Sequence, residues 1–91
     1  MLDYSKGQVV ISKAGRDKGK ILIILDTRDD CVYMADGKER KLEKPKEKKK
    51  KHIQITNYID NSLLQKLENA EKINNSDIRK AIEKYMIAMR G

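Results

Sequence analysis

The chain has 91 residues, one cysteine, and 21 lysines and arginines against 14 acids, for a formal net charge of +7. That length fits one small domain with a modest core and leaves little room for a deep catalytic pocket. A lone cysteine excludes an intrachain disulfide, and the longest aliphatic run, Ile21 to Leu25, is far too short to cross a bilayer.

From the N-terminus the first half reads as strands. GQVVISKA puts Val9 and Ile11 on one face and Val10 and Ser12 on the other, and ILIIL reads as a strand covered on both faces. TRDD is a turn, because Asp side chains bond their own backbone two residues on. CVYMAD follows, with Cys31, Tyr33 and Ala35 on one side and Val32 and Met34 on the other; Cys31 is expected as a small core residue. Asp36-Gly37 predicts a type I′ hairpin leading into a fourth strand, ERKLEK. KPKEKKKKH, with Pro45 opposing central pairing, reads as a basic loop or solvated connector over 44–52. HIQIT supplies a fifth strand.

The last third is helical. Asn61 or Ser62 caps a helix through LLQKLENAEK, and Ser76 caps a second through DIRKAIEKYMIAMR. The expected architecture is mainly β, a small closed barrel over residues 1–58, with a C-terminal helical pair over 59–91, α+β overall.

The charge is focused: residues 38–51 carry nine basic and three acidic side chains. A polyanionic partner follows, either nucleic acid or an anionic membrane surface. Enzyme chemistry finds no foothold. In SKAGRDKGK, Gly15 and Gly19 enclose three residues where a phosphate-binding P-loop needs four, and Ile21 stands where its hydroxyl belongs. The stretch from Asp26 fails as an EF-hand, with Arg28 at a ligand position and Cys31 where the loop requires glycine. One Cys and one His cannot make a zinc site, and His52 sits in a lysine run rather than a catalytic arrangement. No cofactor, metal or small-molecule substrate is expected. Asp3 and Lys6 interrupt any signal-peptide core, so a cytoplasmic protein without a membrane partner is expected.

Gly7 through Ile24, GQVVISKAGRDKGKILII, resembles a KOW motif, a strand, loop and strand centred on a glycine that Gly19 matches. The segment from Gly7 to about Thr56 is similar to KOW-type large-subunit ribosomal proteins of the fourteen-e group, through AGRDKGK, Ala35-Asp36-Gly37 with Arg40, and Lys51-His52-Ile53. Leu22 departs from the pattern of many KOW motifs, where a second glycine stands, and points away from the transcription-elongation branch. The resemblance implies an SH3-like barrel of KOW type that binds RNA, typically ribosomal RNA, with Gly7, Gly15, Gly19 and Gly37 as turn glycines. Its loops would present Lys13, Arg16, Lys18 and Lys20, then Lys38, Arg40 and Lys41, then Lys44, Lys46, Lys48, Lys49, Lys50 and Lys51, with His52 at the edge. With no Trp or Phe and four Tyr, stacking on single strands is nearly unavailable, which favours recognition of folded RNA by shape and backbone. The alternative is a KOW module that docks on transcription or translation machinery, with the helices gripping the ribosome or another protein.

Overall fold

The computed structural model describes residues 3–90. Five strands form one antiparallel sheet: β1 (Gln8–Ser12), β2 (Ile21–Arg28), β3 (Cys31–Ala35), β4 (Lys46–Lys49) and β5 (Ile53–Ile59), in the order β4-β3-β2-β1-β5. A 3-10 turn, Lys50–His52, joins β4 to β5, and two helices follow, α1 (Asn61–Glu68) and α2 (Asn75–Arg90). β4 and β5 are the outer strands, and the pairing does not close the sheet. The result is a compact α+β domain, 32 × 30 × 28 Å.

Strand alternation sorts the apolar residues onto two faces. Val10, Leu22, Ile24, Val32, Met34 and Ile53 form one cluster, made by strands alone. Extra residues in β5, opposite Gln8 to Val10, and in β2, between Ile24 and Asp26, bend those two strands, which lets one face pack on itself. The other face offers Val9, Ile23 and Ala35, and the helices cover it with Leu63, Ile78, Ala81 and Tyr85. Tyr58 of β5 meets Tyr85 edge to face at 5.6 Å. ILIIL is therefore covered on both sides, as its composition predicts.

Several local expectations change. ERKLEK is not a strand: Asp36 Oδ1 accepts the N–H groups of Lys38 and Arg40, and Leu42 N–H donates to Asn75 Oδ1, so the chain turns there instead. The fourth strand is the lysine segment itself, with Lys46 and Lys48 half-buried and Glu47 and Lys49 exposed. Lysine suits this position because its apolar stem covers core while its ammonium stays wet. The Asp36-Gly37 turn is not type I′: only Gly37, at φ +79°, has positive φ, and both N–H groups donate to Arg40 O. The tight two-residue connection is instead Asp29-Asp30, between the paired residues Arg28 and Cys31, with Asp29 at φ +54°. Cys31 is half-exposed rather than in the core.

The helix ends also move. Asp60, not Asn61 or Ser62, caps α1 by accepting from Leu63 N–H at 3.0 Å. The helix stops at Glu68, where Ala70 turns left-handed (φ +55°) and the N–H groups of Ala70 and Glu71 close onto Leu67 O and Lys66 O. Asn74, not Ser76, caps α2: its Oδ1 accepts from Asp77 N–H, and Asp77 Oδ2 accepts from Asn74 N–H.

Candidate nucleic-acid interface

The glycines around Arg16-Asp17-Lys18 exist to send one side chain inward and two outward. Gly15 (φ +76°) and Gly19 (φ +87°) reverse the chain, and Gly19 N–H donates to Ser12 O at 2.8 Å. Asp17 is thereby buried, 2% exposed, while Arg16 and Lys18 face solvent. Arg40 reaches Asp17 from the second turn with two hydrogen bonds, Nε at 3.3 Å and Nη2 at 3.0 Å. Lys20 Nζ lies 2.7 Å from Glu39 Oε2 and 3.8 Å from Asp17 Oδ1. The Arg40 hydrogen bonds hold the Asp17 carboxyl below its ordinary value, against the opposing pull of burial. Glu39 raises the Lys20 ammonium, and Asp17 raises the Arg40 guanidinium.

The second turn is fixed from below by α2. A Cβ on Gly37 would stand 2.4 Å from Asn75 O, so α2 packs directly on this glycine. Arg79 Nη1 donates to Gly37 O at 2.6 Å, and Asn75 Nδ2 donates to the Glu43 carboxylate at 3.0 Å. Gly7 plays the matching part for α1, with Asp60 O and Leu64 N each 3.1 Å from its would-be Cβ.

The lysine tract divides. Lys48 Nζ donates to Ala14 O, and Lys13 N–H donates to His52 O at 2.8 Å, which joins β4 and the 3-10 turn to the first loop. Lys49 instead pairs with Cys31, and Lys50 N–H donates to Asp30 O, which puts both at the opposite end of β4 beside the acidic turn. There the Lys50 ammonium lies 5.1 Å from the centre of the Tyr4 ring. One end of the molecule thus brings together Lys13, Arg16, Lys18, Lys20, Lys38, Arg40, Lys41, Lys46 and Lys48, with His52 at its margin; Lys49 and Lys50 leave the cluster. Lys44 and Lys51 are exposed. Arg40 and Lys20 are engaged in internal ion pairs, so Arg16, Lys18, Lys13, Lys38 and Lys41 carry the open charge.

Asp17 was the missed organiser. An acid inside a basic loop is the available sequence signal, since such a group needs a cationic partner once buried. Away from this end, burial raises the Cys31 thiol, as does its hydrogen bond to Asp30, which leaves it a poor nucleophile. Among the described residues no three His, Cys, Asp or Glu side chains converge as a metal site, and no helix is long and apolar enough to cross a membrane. The fold and site define a small α+β domain with one cationic end whose two turns and lysine strand are joined by hydrogen bonds and ion pairs. No protein-family model matches the chain, and a search of curated proteins finds no match.

Proposed function

We propose that the protein binds structured RNA through this cationic end, with ribosomal RNA as the RNA class, acting in the cytoplasm as a ribosomal component or ribosome-associated factor. The observation that carries the reading is the interlock: Arg40 to Asp17, Lys20 to Glu39 and Lys48 to Ala14 O hold two turns and the lysine strand together as one surface. Internal pairing fixes the backbone while leaving Arg16 and Lys18 projecting, the arrangement a phosphate-reading surface requires. The strand order, the 3-10 turn between β4 and β5 and the two register breaks support a KOW-type, SH3-like barrel as the finer description of the curled sheet.

The test is salt-dependent binding to a folded RNA. With about 6 phosphates engaged, log affinity falls against log salt with a slope of about −4 to −5. Arg16→Glu with Lys18→Glu is expected to weaken binding at least about tenfold and flatten that slope by about 2, whereas Lys66→Glu with Lys72→Glu changes little. Equal losses from the two pairs would remove the first loop from the interface. A second reading, a protein-docking module, is favoured by the exposed Met86, Ile87 and Met89 of α2. Salt-insensitive association with a purified translation or transcription protein, without RNA, would support it.

A further inference from the structure

Beside the cationic end, α2 from Ser76 to Met86, the start of β2 and the Asp36–Lys38 turn enclose an open groove of about 600 Å³. Ile21, Ile82 and Met86 give it apolar walls, and Lys38, Arg79 and Lys80 stand around it. It also holds two carboxylates, Asp36, whose Oδ1 is taken by the N–H groups of Lys38 and Arg40, and Glu83, which makes no ion pair among the described residues. None of Lys38, Lys80 and Glu83 takes part in the ion pairs of the described residues, and Arg79 is held in place by its bond to Gly37 O. A site for bare phosphate gains nothing from a carboxylate in its lining, and a site for an amine gains nothing from three cations. A nucleotide uses both: apolar walls for the base faces, an acceptor for an exocyclic amino group, and cations for the adjoining phosphates.

We propose that this groove takes one unstacked nucleobase of the bound RNA, one that carries an exocyclic amino group (adenine, cytosine or guanine, against uracil) and donates it to Glu83, while the flanking phosphates lie on Lys38 and Lys80. The inference rests on the RNA reading above and adds a subsite to it. Met86 and the Arg79 guanidinium plane supply the contact surfaces that the scarce aromatics do not.

Three labelled hairpin RNAs test it by fluorescence anisotropy at low salt: one with a single bulged adenosine, one with a bulged uridine, and one fully paired. The wild-type protein is expected to bind the adenosine bulge about tenfold more tightly than the other two. Met86→Glu, at a residue 44% exposed, should drop that hairpin to the fully paired level without affecting the paired one. Glu83→Gln, which adds a donor, should erase the preference for adenosine over uridine. Equal affinity for all three hairpins, or a preference unchanged in both variants, would overturn the subsite and leave RNA binding intact. Binding to none of them would overturn both readings. Tight binding of free adenosine monophosphate with all hairpins equal would assign the groove to a soluble nucleotide and overturn the proposal.

Discussion

At the scale of single residues, two glycines with similar backbones do different work. Gly37 and Gly19 both have positive φ, but only Gly37 is packed against another element, with Asn75 O 2.4 Å from the Cβ an alanine would bring. Gly37→Ala is expected to cost about 3 kcal/mol or more, because α2 must retreat, and Gly19→Ala only the left-handed strain of about 1–2 kcal/mol; urea unfolding separates them. The sequence marks both as turn residues, since chain reversal is a local property, but a helix arriving from 38 positions later leaves no local trace. Asp17 has a pH signature. Its folded carboxyl titrates below the ordinary value of 3.8, so its stabilisation is full above that value and is lost as the pH falls through the lowered one. Urea midpoints should therefore fall more steeply for wild type than for Asp17→Asn between about pH 5 and about pH 2. Parallel curves would show that the Arg40 contact adds nothing to folding.

At the scale of elements, apolar periodicity was readable and charged periodicity was not. Val9, Val10 and the ILIIL run declare their faces because burial demands it. In KEKK the half-buried positions, Lys46 and Lys48, and the exposed ones, Glu47 and Lys49, are all charged, so alternation is invisible and the strand passes for a connector. Helix existence was equally plain, but the boundaries turned on side-chain bonds, Asp60 to Leu63 and Asn74 to Asp77, for which neighbouring Asn and Ser were equally good candidates. The end of α1 offers a direct check. Ala70 sits at φ +55° in the closing turn, where a Cβ is unfavourable. Ala70→Gly is expected to stabilise the protein by about 1 kcal/mol, read as a raised thermal midpoint; a lowered one would mean the turn is not held as described.

At the scale of the whole molecule, the helices share the core with the sheet. Val9, Ile23 and Ala35 are fully buried only because Leu63, Ile78, Ala81 and Tyr85 lie on them. Large buried side chains contribute about 1.5–3 kcal/mol each, and a small domain has about 5–15 kcal/mol in total. A chain ending at residue 58 is therefore expected to lose its cooperative thermal transition, and a sharp transition in that fragment would show the strand-only cluster to be self-sufficient. Composition foretold a concentration of positive charge but not its partition, because ion pairs such as Arg40 with Asp17 withdraw some cations from solvent. The placement of β4 has one more result. As an outer strand it leaves a row of backbone groups able to template another copy of the chain, and Pro45 with three lysines is what fences that row. Acetylating Lys46 and Lys49, which make none of the ion pairs of the described residues, is expected to raise self-association along that edge, read as increased light scattering at unchanged thermal midpoint.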